Sequence, residues 1–170
     1  MTPQTSIDPD DLDPSATPDT DPIPPIDTAE LPFSGTDELR QRWRALMGPL
    51  GFDEPKLWFV FVEHDTRLIP VINTLPLPVT PNRHLIEPLM ARLGETIEVT
   101  YDLSIACLLT RPGSDGLTTR DRGWASLLTS AAIAGGVPLQ PLFRANDVNL
   151  ITVPSAIVPL RSTTPDQQAS

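Results

Sequence analysis

Charge and proline are segregated along this chain, and that segregation limits where a packed core can form. Residues 1–32 hold eight carboxylates (Asp8, Asp10, Asp11, Asp13, Asp19, Asp21, Asp27, Glu30), eight prolines and no Lys or Arg. All 12 basic side chains fall within residues 33–161, alongside 13 acids, so that stretch is close to neutral. The first 32 residues lack aromatics and have few apolar side chains. They cannot recover their ordering entropy by burial and are expected to form a disordered arm. Residues 162–170, mostly polar, read the same way. Residues 33–161 are then a single domain of ordinary size.

Composition excludes several functions. A formal charge of −10 over 170 residues argues against a free-standing nucleic-acid binder or a polybasic membrane module. No apolar run approaches the ~18 residues that span a bilayer. Met1-Thr-Pro-Gln-Thr5 has neither a basic nor an apolar leader region, so a cytoplasmic location is expected. The single cysteine, Cys107, precludes an intrachain disulfide and a multi-cysteine zinc site. The acidic arm is either a solubilising tail or a linear motif for a basic partner around Ile23-Pro-Pro-Ile26.

Within the domain, Leu39, Trp43, Leu46, Met47 and Leu50 repeat at helical spacing. They predict a helix over Thr36–Met47, with Thr36 as N-cap and Gly48-Pro49 as stop. Leu57–Val62 and Ser104–Thr110 are unbroken apolar runs, expected as strands buried on both faces. Arg67–Thr74 reads as a strand weakened by Pro70, Pro81–Leu93 as a helix strained by Pro88, and Thr96–Thr100 as a short strand. Arg111–Gly116 is a loop. Thr118 caps a helix running to about Ala134, which Gly135-Gly136 ends. Val137–Phe143 and Val148–Val153 complete the set as strands around an Asn146-Asp147 turn. This alternation favours an α/β sandwich with a mixed sheet.

Chemistry is sparse. The chain has no GxGxxG, no GxxxxGK[ST] and no GxSxG. Cys107 sits in a buried strand and reads as a small hydrophobe. The two histidines, His64 and His84, match no established zinc spacing. One cluster stands out: Arg111, Asp115, Thr118, Arg120, Asp121 and Arg122 surround the loop and the helix start. Two readings of it compete. In one, arginines and carboxylates clamp a phosphate or carboxylate ligand; in the other, they form a salt-bridged helix terminus in which Thr118 and Asp121 make a capping box.

From Trp58 to Val153, about 96 residues, the order of elements and several phrases resemble the RadC-like branch of the JAB/MPN (JAMM) family. The resemblance is carried by Val60-Phe-Val-Glu63 followed by Arg67-Leu-Ile69, and by Pro81-Asn-Arg83. Further along it is carried by Cys107-Leu-Leu-Thr-Arg-Pro-Gly-Ser-Asp115 with Thr118-Thr-Arg-Asp121, and by Gly136-Val-Pro-Leu139 before Asn146-Asp147. It implies an α/β/α sandwich with a mixed sheet. Active family members hold zinc through His-x-His-Pro and a downstream Asp, with an upstream Glu as general base. Here the two histidine positions are Leu109 and Arg111, Asp121 stands at the aspartate, and only Glu63 is available upstream. Zinc needs about three protein ligands, which this set lacks. The resemblance therefore implies a non-catalytic module with no cofactor that binds a protein partner or serves as a scaffold, with the acidic arm modulating that contact. The alternatives are an enzyme with a non-standard anion or metal site near Arg111 and Asp121, or a RadC-like protein associated with DNA metabolism.

Overall fold

The computed structural model describes residues 14–100 and 102–154. Its centre is β3 (Ser104–Thr110), which lies in the middle of a five-stranded sheet. With β1 (Lys56–Val62), β2 (Asn73–Pro76), β4 (Phe143–Ala145) and β5 (Leu150–Thr152), the strand order is β2-β1-β3-β4-β5. β1 runs antiparallel to β3 from Lys56 opposite Thr110 to Val62 opposite Ser104. β4 is parallel to β3, and the outer strands β2 and β5 are antiparallel to their neighbours. The sheet is therefore mixed.

Both faces are covered, which is why β1 and β3 are apolar at successive positions. Ile105, Cys107 and Leu109 of β3 point into one core, with Ile86, Met90, Trp124 and Leu128 from α2 (Arg83–Thr100) and α3 (Thr119–Gly135). Ala106 and Leu108 point the other way, into a core with Leu39 and Trp43 of α1 (Thr36–Met47). The result is three layers, with α2 and α3 on one face of the sheet and α1 on the other.

Several local expectations are corrected. The strand expected over Arg67–Thr74 begins only at Asn73. Earlier in that stretch Leu68 makes an isolated bridge to Val62, and Pro70, lacking an N–H, separates that bridge from the β2 ladder. No strand forms at Thr96–Thr100, because α2 continues through it. Ile86, Met90, Leu93 and Ile97 share one buried face, and the Thr96 and Thr100 hydroxyls donate to carbonyls four residues earlier. Burial of Ile97 in the core shared with α3 overrides the β-propensity of Thr-Ile-Glu-Val-Thr, and Pro88 is accommodated inside the helix. Val137–Phe143, interrupted by Pro138 and Pro141, contributes one bridge, Leu139 to Ile105, and β4 starts at its end. At α1 the N-cap is Gly35, with φ 91°, and Thr36 is the first helical residue.

The expected disorder of residues 1–32 is corrected for residues 14–32, which lie against the domain. Two 3-10 turns, Pro14–Ala16 and Ile26–Glu30, flank an extended stretch, and Ala29 and Phe33 are buried. Residues 1–13 and the tail from 155 to 170 fall outside the described residues. Among those described, no helix is long and apolar enough to cross a membrane.

α2 and α3 meet through glycines. A Cβ on Gly94 would sit 2.0 Å from the Gly135 carbonyl oxygen, and one on Gly135 would sit 2.9 Å from that of Met90. Alanine at position 94 would gain about 1 kcal/mol of helix propensity, but overpacking against a backbone atom costs about 1–3 kcal/mol. Gly94→Ala is thus expected to lower stability despite improving the isolated helix. The urea midpoint should fall; an unchanged or higher midpoint would show that the helices can move apart freely.

Candidate functional site

The C-terminal end of β3, the loop that follows it and the first turn of α3 converge on a single arginine. Arg111 directly follows β3, and its amide donates to the Ala145 carbonyl, extending the parallel edge with β4 (3.1 Å). The loop then turns at Gly113, φ 113°, a left-handed conformation that favours glycine. Asp147 pins this turn from the β4–β5 connection. Its carboxylate accepts from the amides of Gly113 (2.9 Å) and Phe52 (3.1 Å), while its own amide donates to the Gly113 carbonyl (2.9 Å). Those two amide donors hold the Asp147 carboxyl below the usual carboxylate range.

Thr118 and Asp121 form the expected capping box. The Asp121 amide donates to the Thr118 hydroxyl oxygen (3.1 Å), and the Thr118 amide donates to Asp121 Oδ2 (3.0 Å). This fixes Asp121, itself buried, facing the end of β3. Arg111 meets it as a two-pronged pair, with Nε to Oδ1 and Nη2 to Oδ2, both at 2.7 Å. The remaining Arg111 N–H groups donate to Asp115 Oδ1 (2.8 Å) and to the carbonyls of Pro112 (3.1 Å) and Gly116 (3.0 Å). All five guanidinium donors are thereby engaged within the chain.

A second arginine stands behind the first. Arg144 of β4 is fully buried, with Nε 3.6 Å from Asp121 Oδ2 and without a hydrogen bond. Its other nitrogens donate to Asn149 Oδ1 and to the carbonyls of Ser15 (3.2 Å) and Asp115 (3.4 Å). Asn146 donates to the same Asp115 carbonyl (2.8 Å), and its Oδ1 accepts from the Val148 and Asn149 amides. Two guanidiniums and two carboxylates therefore form a network of zero net charge.

Protonation follows from the geometry. Burial pushes the Asp121 carboxyl up, but the Arg111 hydrogen bonds, the Thr118 amide and the charges of Arg111 and Arg144 outweigh it. The net direction is below the usual range. The bond to Asp121 raises Arg111 against its desolvation. Burial is the largest influence on Arg144 and lowers it. Cys107, buried in β3, has its thiol pushed up to about 12 by desolvation and is not poised as a nucleophile.

Of the six residues singled out by the sequence, Arg111, Asp115, Thr118 and Asp121 come together. Arg122 does not join them; it is exposed and donates to the Leu117 carbonyl (3.2 Å). Arg120 stands on the wall of an open cleft of about 650 Å³, lined also by Pro55, Arg111, Ser114, Asp115 and Thr119, and among the described residues it makes no hydrogen bond or ion pair. Glu63 lies beyond Val62, at the opposite end of the β1–β3 ladder from Arg111, about 26 Å along the strands. His64 and His84 are exposed, and among the described residues no group of three His, Cys, Asp or Glu is placed to hold a metal. Glu98, within the stretch expected as a strand, lies on α2.

Sequence reasoning missed Arg144, Asn149 and the pinning role of Asp147. A lone arginine between Phe143 and Ala145, in an apolar stretch, was the available signal, since a charge inside a buried strand demands a partner. Compared with known proteins, the chain matches no family model and no curated protein.

Removing one member of a buried ion pair strands the other charge, typically at about 3–5 kcal/mol. Arg111→Ala is therefore expected to cost about 3 kcal/mol, and Arg111→Lys to recover little, because an ammonium cannot span both oxygens. A clamp for an external anion predicts near-normal stability for Arg111→Ala; denaturant unfolding separates the two.

The lowered Asp121 pKa gives a sign for the pH dependence. Its contribution is fully present above the unfolded-state value, about 3.9, and is lost as pH falls through the lower folded-state value. Between pH 5 and pH 2, Asp121→Asn should show a shallower loss of stability than the parent chain. Parallel profiles would mean that Asp121 is not held charged by the network.

Proposed function

We propose that this chain is a non-catalytic JAB/MPN-like module that binds a protein partner or serves as a scaffold, with an arginine–carboxylate lock standing where active relatives hold zinc. One observation carries the reading. Leu109, Arg111 and Asp121, the three positions that the resemblance equates with the metal ligands, line the same small cavity of about 20 Å³ beside Trp124. Their chemistry does not fit a metal. Leu109 offers a hydrocarbon, the Arg111 guanidinium has no lone pair to donate, and both Asp121 oxygens already accept hydrogen bonds from Arg111. The guanidinium instead supplies a fixed positive charge to the aspartate. No step of hydrolysis can be routed through this set, because nothing in it can polarise a water, and Glu63 is too distant to act as its base. A near-neutral domain preceded by an acidic segment supports a protein partner over a nucleic acid.

The test restores the ligands. Zinc should leave the melting temperature of the parent chain unchanged and should raise that of a Leu109→His/Arg111→His variant. Zinc at 100 times its Kd would add about 2.7 kcal/mol. A double variant indifferent to zinc would remove the JAB/MPN-like reading. Stoichiometric zinc in the purified parent chain would remove the non-catalytic one.

A further inference from the structure

We propose that the groove filled by residues 15–19 is a recognition site for a short acidic peptide segment, and that the chain's own strap occupies it as an intramolecular pseudo-ligand. This rests on the protein-binding reading above for the existence of a partner, though not on the JAB/MPN resemblance.

The strap enters through the 3-10 turn Pro14–Ala16 and is held through main-chain groups of residues 15, 17 and 19. The Ser15 and Thr17 carbonyls both accept from Asn149 Nδ2, at 2.9 and 2.8 Å, and the Asp19 amide donates to the Val148 carbonyl at 2.7 Å. Arg144 adds a second donor to the Ser15 carbonyl. These contacts read the main chain, and the Ser15 hydroxyl adds one side-chain contact by accepting from the Leu117 amide (2.9 Å). Pro18, between two of these contacts, is exposed, so the groove places no demand on that side chain.

Specificity comes from one position. The Asp19 side chain, only 3% exposed, inserts between Arg40 and Arg44 of α1 and pairs with both. Arg40 is positioned for this by its Nε bond to the Leu150 carbonyl (2.8 Å). Arg44 is buried, its Nη1 lies 3.9 Å from Asp19 Oδ2, and that nitrogen has no hydrogen bond. The arginine pair therefore has donor capacity that the strap's own carboxylate leaves unused. An incoming carboxylate seated slightly deeper would use it, whereas a neutral side chain would leave the buried Arg44 and the part-exposed Arg40 without this counter-charge.

The strap is also built to leave. Between residues 14 and 32 the one buried apolar side chain is Ala29, while Ile23, Ile26 and Leu31 are exposed. Backbone hydrogen bonds and ion pairs hold the segment with little apolar area; the exposed Asp21–Arg40 pair (4.0 Å) weakens with salt, the buried Asp19 pair much less. A tethered segment competes at an effective concentration on the order of 1 mM, so the groove is closed to weak ligands until the strap's anchor is removed.

The experiment keeps the full chain and weakens the anchor with Asp19→Ala/Asp21→Ala. The probe is a fluorescent synthetic peptide of residues 14–22, followed by anisotropy. The double variant should bind it about tenfold or more tighter than the parent chain, since the tethered competitor is gone. Binding should fall with added salt and be lost when the peptide carries Asp19→Asn or the protein also carries Arg44→Gln. A folded double variant that binds no better than the parent chain overturns the proposal. So does a dT oligonucleotide that binds the variant as tightly as the peptide, because the surface would then be a general polyanion site. If the double variant fails to fold, hydrogen exchange on the parent chain decides. The Asp19 amide should exchange well before those of β3, and exchange only with global unfolding would make the strap a fixed part of the fold. None of these outcomes alters the zinc response of the Leu109→His/Arg111→His variant, so the two readings fall separately.

Discussion

The Arg111–Asp121 pair joins parts of the molecule that are far apart in the chain. One guanidinium holds the end of β3, both ends of the following loop and the first turn of α3 in a single hydrogen-bonded unit. Asp121 can accept this role because the capping box has already set its position, using one of its oxygens for the Thr118 amide. Arg144 then ties the unit to β4 and to the strap through the Asp115 and Ser15 carbonyls. Burying so much charge is tolerable only because donors and acceptors are matched almost one for one. The exception is Arg144 Nε, which faces Asp121 without a hydrogen bond.

This matching shapes what the site can do. An arginine clamp for a ligand needs donors turned outward, and a metal site needs lone pairs turned inward. Arg111 offers neither, because its five donors end on its own chain. The chemistry left at this end of the sheet is positional: a rigid loop, a fixed helix start, and a cleft whose outer wall carries Arg120. A surface of this kind is what the protein-binding role proposed above would use.

The strap follows a different rule from the cores. On each face of the sheet, burial of residues such as Trp43 and Trp124 drives association without direction. Residues 14–22 have little to bury, so specific polar anchors set their place: two carbonyls, one hydroxyl, one amide and one buried carboxylate. Proline helps, since it reduces the freedom the segment loses on docking. Composition pointed to disorder here because it counts apolar side chains and cannot count donors such as Asn149 and Arg144, which lie some 130 residues away in sequence.

What the sequence determined by itself was local or periodic. The two apolar runs became β1 and β3, Thr118 with Asp121 capped α3, Gly136 ended it in a left-handed conformation, and Asn146-Asp147 made the turn. Each depends on neighbours within a few residues, or on burial that an apolar run announces directly. What only the tertiary structure decided depended on residues meeting from a distance. α2 runs through Thr-Ile-Glu-Val-Thr because Ile97 finds the core shared with α3. β2 starts after Pro70 because pairing with β1 resumes only there. Arg111 is a lock rather than a clamp because Asp121, Asp115 and two carbonyls converge on it. A residue type states which bonds a side chain can make, but not which partners the fold brings within reach, and at this site the partners determine what the arginine does.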